Sequence, residues 1–373
     1  MTGLYIHIPF CQSRCIYCGF YSTTGLHLRQ QYVDALCKEM EMRQDEAKKR
    51  NNIGTIYLGG GTPSQLSVEQ LEQLFYYIYK VYGTENTTEI TMECNPDDVT
   101  PELTEAIGRL PINRVSMGAQ TFDDQRLRFL HRRHTADEIG RAVERLRKVG
   151  IRNISIDLMY GFPDETLAQW QQDIDQALKL NVEHLSAYSL MYEEGTPLYR
   201  LLENGNVNET NEEVSRQMYE ELIGQLTAAG YEHYEISNFS RQGFHSRHNS
   251  NYWNQTPYIG LGAAAHSYDG ASCRRWNIDD VKKYIEGIEN RRPDFEQEVL
   301  DADTRYNDLV MTALRTRKGL DLSLLSPEQV NYCKTQALRY EKDGLLVFED
   351  QHLRLTRRGL FVSNMIMSDL MKV

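Results

Sequence analysis

Three cysteines near the amino terminus have the type and spacing of residues that hold a metal cluster. Cys11, Cys15 and Cys18 lie four and then three residues apart, directly after the apolar run 4–10. Thiolates are soft ligands that suit iron–sulfur clusters and zinc. Because only three thiols are clustered, a four-iron cluster bound here would keep one iron without a protein ligand. That iron would be open to a small molecule.

The alternative interpretation of this loop is a zinc site. Three cysteines and one histidine form a common closed zinc set, and His7 could be the fourth ligand. However, His7 lies within a predicted strand, four residues before Cys11, and no second cysteine pair of the zinc-ribbon kind follows. An iron–sulfur cluster is therefore the favoured hypothesis.

Polar and glycine residues that could bind a small molecule follow the next predicted strands. The segment Gly59–Ser64 contains three glycines, which allow a ligand to approach the backbone closely. Taken alone, this segment predicts only a tight turn. The carboxylates Glu93 and Asp157 could instead cap helices, and Gln120 and Arg132 could be surface residues. Their positions at or after strand ends make them candidate ligand-binding residues.

A further candidate site lies far downstream, in the pattern His-Asn-x-x-Tyr-Trp. It comprises His248, Asn249, Tyr252 and Trp253. Imidazole is the usual protein ligand of haem iron, and aromatic rings offer flat apolar faces for a porphyrin. A single histidine in a polar segment is more often structural, so the residues alone leave both interpretations open.

The elements that must position these residues follow a repeating pattern. From the start to about residue 190, strand-like and amphipathic helical runs alternate at intervals of roughly 25 to 35 residues, which predicts βαβ units and a parallel sheet. The predicted strands are Leu4–Ile8, Thr55–Leu58, Glu89–Glu93, Arg114–Met117, Ser155–Met159 and Leu185–Leu190, and predicted helices cover 28–49, 68–81, 135–149 and 166–179. Six strands are fewer than a closed barrel needs, so we predict an α/β fold with an open, partial (β/α)6 TIM-like barrel. The candidate residues should converge at the carboxyl ends of its strands.

The rest of the chain changes in character. A helix to Ala229 and a strand at Tyr231–Ser237 precede the polar, aromatic stretch Asn238–Ser272, which lacks clear periodicity and predicts a long functional loop. From about residue 295 we predict a winged-helix-like α+β module, with helices 303–316 and 326–341, strands Leu345–Phe348 and Leu353–Leu355, and a last helix from Arg357. The expected divisions are a barrel over 1–230, an extension over 231–295 and this module over 296–373.

Composition excludes several classes of protein. The net charge of −12 disfavours a general binder of nucleic-acid backbones. No window reaches the ~18 consecutive apolar residues of a membrane span, and the first apolar run lacks the features of a signal peptide. Cys37, Cys94, Cys273 and Cys333 are scattered singly and should be reduced, mostly buried thiols. We therefore expect a cytoplasmic protein, in a reducing compartment that suits an oxygen-sensitive cluster.

The cysteine loop and the glycine segment together resemble signatures of the radical S-adenosylmethionine (SAM) superfamily. Cys11, Cys15 and Cys18 are similar to its CxxxCxxC motif, and Gly59–Pro63 to its GGGTP motif. The resemblance implies a [4Fe-4S] cluster whose open iron binds SAM, with the aromatic Tyr17 packed near the adenine. Within the superfamily, the chain resembles the oxygen-independent coproporphyrinogen III oxidase family. That resemblance implies SAM contacts at Tyr5, Gly60, Gly61, Thr62, Glu93, Gln120, Arg132 and Asp157.

Three features indicate the branch of this family. The HNxxYW pattern at His248–Trp253 resembles the haem-chaperone (HemW-type) branch, which implies haem as a ligand. Phe20 stands where the oxidase has a fourth cysteine, and the chain begins only ten residues before Cys11, without the oxidase's long extension. The resemblance therefore implies a protein that binds haem and passes it to an acceptor protein. A second copy of the chain, in a homodimer, is a further candidate partner.

The alternative hypothesis is an enzyme. In the oxidase, one-electron reduction of the cluster cleaves SAM to methionine and a 5′-deoxyadenosyl radical, which abstracts hydrogen from a propionate of coproporphyrinogen III. An intact SAM site is compatible with either activity, whereas Phe20 and the HNxxYW pattern favour the chaperone.

Overall fold

Six parallel strands form the centre of the molecule, and each pairs with the next along the chain. The computed structural model describes residues 1–48, 53–83 and 85–372. The strands are β1 (Thr2–Ile8), β2 (Ile53–Gly60), β3 (Glu89–Cys94), β4 (Arg114–Gln120), β5 (Asn153–Tyr160) and β6 (His184–Ser189). All six predicted strands are confirmed, with small shifts at their ends. Nearly every strand residue is buried, as expected for a parallel sheet covered by helices.

Helices connect these strands and bury their apolar faces against the sheet. They are α1 (Arg29–Met42), α2 (Gln44–Lys48), α3 (Val68–Tyr82), α4 (Pro101–Arg109), α5 (Asp124–Phe129), α6 (Ala136–Lys148) and α7 (Leu167–Lys179). Local sequence sets their starts, because Ser67 and Thr166 each form a capping box with the glutamine three residues later. The helix predicted over 28–49 divides at Arg43, and its last residue lies outside the described residues.

The following segment extends the sheet at both edges. Its elements are α8 (Pro197–Glu203), α9 (Glu212–Ala228), β7 (Glu232–Glu235), β8 (Asn238–Ser240), α10 (Arg247–Trp253), β9 (Tyr258–Leu261), β10 (His266–Tyr268), β11 (Cys273–Asn277), α11 (Val281–Glu289) and β12 (Phe295–Val299). The strand order is β12-β11-β10-β9-β1-β2-β3-β4-β5-β6-β8-β7. Antiparallel β8 and β7 continue the sheet beyond β6, whereas β9 lies parallel to β1.

The prediction of a long irregular loop over 238–272 is wrong. This stretch contains β8, α10, β9 and β10, and the strand predicted at Tyr231–Ser237 is shorter than expected. Its elements have only three to seven residues each, which is too short to produce a recognisable helical or strand period. Their stability comes from contacts with distant parts of the chain.

A buried ion pair attaches β9 and β10 to the barrel. Arg43 and Glu39, at the end of α1, lie 3.0 Å apart and are almost completely buried. Arg43 donates to the carbonyl of Gly260 at 2.6 Å and to the hydroxyl of Ser267 at 3.0 Å. Glu39 accepts the backbone N–H of Gly262 at 2.9 Å. Each charge therefore has several polar partners, as a buried ion pair requires.

The carboxyl-terminal module has a hydrophobic cluster of its own, which runs from Tyr306 to Leu370. Its elements are α12 (Ala302–Ala313), β13 (Leu320–Asp321), α13 (Pro327–Lys342), β14 (Leu346–Glu349), β15 (His352–Leu355) and α14 (Ser363–Leu370). The predicted helices and hairpin are confirmed, although α14 begins after a short 3-10 turn at Gly359–Val362 rather than at Arg357. Across the described ranges of the chain, none of the helices has the length and apolar character to cross a membrane.

Candidate functional site

The cysteine loop, the glycine segment and Arg132 meet at the carboxyl ends of the parallel strands. The thiol of Cys11 lies 3.3 Å from the hydroxyl of Thr62, which follows β2. Arg132, which follows α5, donates an Nη1 hydrogen to the sulfur of Cys15 at 3.6 Å. Three separate segments of the chain are thus joined at this rim. We call these segments, with the ends of β3 to β5, the rim site.

All three clustered cysteines carry free, partly exposed thiols. Among the residues that the structure describes, no three His, Cys, Asp or Glu side chains already form a metal site. The scattered thiols follow the prediction, because Cys37, Cys94 and Cys333 are buried and Cys273 is only partly exposed.

His7 has no ring nitrogen available for zinc. Its Nδ1 lies 3.1 Å from the hydroxyl of Tyr5, and its Nε2 lies 3.1 Å from the carbonyl oxygen of Tyr21. Burial lowers the pKa of His7 to about 4, so the ring is neutral. This geometry argues against the zinc alternative for the cysteine loop.

The glycine segment lies in close contact with β1. Gly60 has a φ of +104°, and a Cβ there would collide with the ring of His7. A Cβ on Gly61 would lie 2.7 Å from the carbonyl oxygen of Ile8. Both glycines are therefore needed to bring the two strand ends together, whether or not a ligand binds. The backbone N–H of Gly60 donates to Glu93 at 3.2 Å.

Two carboxylates face the rim site, one from β3 and one from β5, and neither caps a helix. Glu93 accepts hydrogen bonds from the hydroxyl of Tyr57 at 2.7 Å and from Gly60. Burial raises the pKa of Glu93 to about 7, although both donors oppose the rise. Burial also raises the pKa of Asp157 to about 6, although a hydrogen bond from Ser186 lowers it. Both groups therefore titrate near neutral pH, where a cationic ligand would favour their ionised forms.

Of two adjacent arginines, only Arg132 points into the rim site. It donates to the side-chain oxygen of Asn95 at 2.8 Å and to the carbonyl of Gly118 at 2.6 Å. Arg133 instead forms ion pairs with Asp97 at 2.6 Å and with Asp98 at 2.7 Å. The contacts thus distinguish the two arginines, which sequence spacing alone does not.

The remaining predicted rim residues are all close to this site. Gln120 ends β4, is buried and has a φ of +66°, a conformation that is uncommon outside glycine. The ring of Tyr5 stacks on Tyr57 with 6.2 Å between centroids. Tyr17 contacts the thiol of Cys15 and packs on a small hydrophobic cluster behind the loop. Phe20, two residues after Cys18, is 72 % exposed and offers no thiol to the loop.

The HNxxYW residues lie on α10, at the opposite, amino-terminal end of the strands. His248 is 1 % exposed. Its Nδ1 lies 2.9 Å from the hydroxyl of Thr55, and its Nε2 lies 3.0 Å from the hydroxyl of Tyr252. The backbone N–H groups of Arg247 and His248 donate to the carboxylate of Glu89 at 2.9 and 2.8 Å. We call α10 with these partners the barrel floor.

His248 is therefore a neutral, fully hydrogen-bonded side chain in this conformation. Burial lowers its pKa to about 3, and the positive charge of Arg114 contributes in the same direction. A neutral imidazole suits haem iron, but both ring nitrogens are already engaged. Iron ligation by His248 would require one of these hydrogen bonds to break.

The other two predicted residues of α10 face different neighbours. The backbone N–H of Asn249 donates to the N-cap residue Ser246 at 3.4 Å. The guanidinium of Arg315, which follows α12, lies 5.1 Å from the ring centroid of Trp253. The indole Nε1 of Trp253 is buried and has no partner among the described residues. The helix thus lies between β2 and the carboxyl-terminal module.

Sequence reasoning missed two inward-facing residues. Tyr57 bonds to Glu93, and Arg114 is 1 % exposed inside the barrel, where its charge opposes the rise in the pKa of Glu93 and Asp157. Both lie within predicted strands, at positions that alternate with residues facing the helices. Because side chains alternate between the two faces of a strand, Thr91 lies on the same face of β3 as Glu93. Arg114 pairs with Thr91 from β4, so it could have been placed on that face as well.

Comparisons with known proteins agree with this architecture. Residues 5–177 match the model of the radical SAM superfamily, and residues 300–362 match the HemN C-terminal domain. The heme chaperone HemW of Bacillus subtilis is 39 % identical over 77 % of this chain and 76 % of its own length. The heme chaperone HemW of Lactococcus lactis is 33 % identical over 97 % of this chain and 95 % of its own length.

A solved structure has the same fold throughout. Coproporphyrinogen III oxidase (HemN) from Escherichia coli, described as a radical SAM enzyme, superposes with a TM-score of 0.85. The superposition covers 100 % of this chain and 90 % of that one at 22 % identity. The partial barrel and the smaller carboxyl-terminal module are thus confirmed. From its nearly full-length similarity to these relatives, the chain belongs to the HemW-type branch of the oxygen-independent coproporphyrinogen III oxidase-like family, within the radical SAM superfamily.

Proposed function

We propose that this chain is a haem chaperone, which binds haem and transfers it to an acceptor protein. The observation that carries the proposal is the similarity to proteins named heme chaperone HemW over 97 % of the chain. Phe20, in place of a fourth cysteine, and the HNxxYW residues on α10 support it. The same proposal includes an acceptor protein, a homodimeric state and a cytoplasmic location. It also includes the division into a barrel over 1–230, an extension over 231–295 and a carboxyl-terminal module over 296–373.

A [4Fe-4S] cluster and SAM are the cofactors that membership of the superfamily implies. The residues fit this pair, because three free thiols on one loop supply soft ligands and leave one iron open. Cys11, Cys15 and Cys18 would hold the cluster. When bound and reduced, such a cluster can supply an electron to SAM. The hydroxyl of Thr62 and the guanidinium of Arg132 would donate to the thiolate sulfurs.

The rim site offers complementary groups for each part of SAM. Glu93 and Asp157, when ionised, can accept hydrogen bonds from an ammonium group or ribose hydroxyls, and Arg132 can face a carboxylate. Gly60 and Gly61 are partly exposed, so a ligand can reach their backbone. We propose SAM contacts at Tyr5, Tyr17, Gly60, Gly61, Thr62, Glu93, Gln120, Arg132 and Asp157.

Haem would bind at the barrel floor, with His248 as the iron ligand and Asn249, Tyr252 and Trp253 around it. The burial of His248 supplies the neutral imidazole that ligation needs. Because Tyr252 occupies Nε2 at 3.0 Å, its hydroxyl must move before that nitrogen can bind iron. We therefore propose that haem binding includes a rearrangement of α10.

A haem titration tests this proposal. Purified protein mixed with haem should develop a Soret band, and His248→Ala should weaken the affinity by at least about tenfold, as expected for loss of an iron ligand. His184→Ala is the matched control. His184 is equally buried in the barrel, with its ring nitrogens 2.7 Å from Ser155 and 2.7 Å from Tyr234. Equal spectra and affinities for the two variants would contradict ligation by His248.

The second candidate function is oxidation of coproporphyrinogen III, with which the proposed SAM contacts at the rim site are also compatible. The test is an anaerobic assay with reconstituted cluster, SAM and a reductant. A haem chaperone should form no protoporphyrinogen IX under these conditions. Steady conversion of coproporphyrinogen III would overturn the chaperone proposal.

A further inference from the structure

We infer that Tyr57 is a positioning residue that orients Glu93 for SAM and connects the rim site to the barrel floor. The inference rests on the proposed contact between Glu93 and SAM. Tyr57 belongs to neither predicted residue set, yet it contacts Glu93 and Tyr5 of the SAM set and His248 of the haem set.

On the rim side, Tyr57 fixes the carboxylate of Glu93. Its hydroxyl donates to Oε1 at 2.7 Å, while the backbone N–H of Gly60 donates to Oε2 at 3.2 Å. A Cβ on Gly59 would lie 2.7 Å from the ring of Tyr57 and 3.0 Å from the carboxylate of Glu93. The first glycine of the segment therefore leaves the space in which Tyr57 and Glu93 meet.

On the floor side, the same ring packs against α10. The imidazole of His248 stacks on Tyr57 with 5.1 Å between centroids and an interplanar angle of 30°. Thr55, two residues earlier on the same face of β2, bonds to Nδ1 of His248 at 2.9 Å. Tyr5 stacks on the ring of Tyr57 from β1. The position of Tyr57 is thus determined by both β1 and α10.

The hydroxyl of Tyr57 favours the ionised form of Glu93. The N–H of Gly60 and the charge of Arg114 act in the same direction, whereas Asp157 and burial favour the neutral form. A cationic ligand binds an ionised carboxylate more strongly. Loss of the hydroxyl should therefore weaken SAM binding and move its pH dependence to higher pH. Loss of the His248 ring should have a smaller effect of the same kind, because Tyr57 would lose its stacking partner.

The experiment measures SAM affinity by anaerobic equilibrium dialysis, between pH 6 and 9, with haem-free protein and reconstituted cluster. Tyr57→Phe should weaken binding about tenfold at pH 7, the effect of one hydrogen bond to a charged group. The loss should shrink as the pH rises, because Glu93 ionises in either protein. Tyr234→Phe is the matched control. It removes an interior tyrosine hydroxyl that contacts His184 rather than Glu93, and it should bind SAM as the parent does.

Two outcomes distinguish failure of this inference from failure of the proposed SAM contact at Glu93. If Glu93→Gln leaves SAM affinity unchanged, the assignment of Glu93 is wrong. If Glu93→Gln weakens binding while Tyr57→Phe matches Tyr234→Phe at every pH, only the role of Tyr57 is wrong.

A double-mutant cycle tests the connection to the floor. His248→Ala should weaken SAM binding about threefold alone, but should add little in the Tyr57→Phe background, since coupled residues are not additive. If the His248→Ala variant does not fold, the cycle uses His248→Gln instead. If the losses of SAM affinity in the two single variants add up in the double variant, His248 does not act through Tyr57.

Discussion

The two ends of the barrel differ in how completely their polar groups are satisfied. At the rim site, three thiols remain free and partly exposed, and the Nε of Arg132 is without a partner among the described residues. At the floor, both ring nitrogens of His248 and both carboxylate oxygens of Glu89 are engaged.

This difference indicates two modes of binding. A site with free donors and acceptors can accept a ligand without first breaking bonds inside the protein, and its binding energy is not reduced by that cost. A fully satisfied site can bind only after it opens, so its apparent affinity is reduced by the population of the open state. The three thiols of the rim site belong to the first kind, and the imidazole of His248 at the floor belongs to the second.

The largest expected effect concerns the rim. Cys15→Ser should abolish the cluster, because a serine hydroxyl is a poor ligand for iron in a thiolate set. Iron and sulfide analysis after anaerobic reconstitution should give less than about a tenth of the parent value. Cys273→Ser is the control, since Cys273 is also partly exposed but lies on β11, away from the loop. Equal losses in both variants would show that the cysteine loop has no special role.

The second effect concerns the structural role of the floor. His248→Ala should lower the free energy of unfolding by about 3 kcal/mol, because it removes a packed ring and leaves Thr55 and Tyr252 without their partner. The measurement is urea unfolding of the haem-free protein. His27→Ala, at an exposed position, should change the free energy of unfolding by less than about 0.5 kcal/mol. A similarly small change for His248→Ala would show that the floor is not held by this side chain.

The third effect concerns the hydrogen bond to Nε2 of His248 at the floor. Tyr252→Phe removes the hydroxyl that occupies Nε2 of His248 but keeps the aromatic ring. Haem affinity should rise by up to about tenfold, because the hydrogen bond no longer competes with iron. Tyr332→Phe is the control, since it removes a hydroxyl that bonds to Met371 in the carboxyl-terminal module. A fall in affinity with Tyr252→Phe would mean that the hydroxyl assists haem binding.

The smallest effect is the pH dependence that Glu93 gives to stability. Burial raises its pKa from 4.5 to about 7 in the folded chain, so folding favours the protonated form. The contribution of Glu93 to stability is therefore fully present below pH 4.5 and declines as the pH rises to about 7. Above this window the ionised carboxylate is costly to bury. Glu93→Gln should thus raise the unfolding temperature of cluster-free protein at pH 8 by about 2 °C, and by less at pH 5. The exposed Glu341→Gln should show no such difference.

The accuracy of sequence prediction also differs between the two ends. Each of the six parallel strands was predictable, because buried runs bounded by helices and turns leave a local signal. Convergence of the cysteine loop, Thr62 and Arg132 followed from parallel topology, which places all carboxyl ends at one edge. The distinction between Arg132 and Arg133 was not predictable, since it depends on Asp97 and Asp98 on another segment.

The candidate chemistry of the chain follows from its local sequence features. Three thiols at close spacing, a glycine segment after the second strand and the HNxxYW pattern are all local features, so they can be recognised without coordinates. The environment of His248, in contrast, depends on the tertiary structure. The polar stretch predicted as a loop forms a helix here, and the imidazole is buried and stacks on Tyr57. The physical reason is that burial and hydrogen-bond partners come from Thr55 and Glu89, which lie more than 150 residues away along the chain.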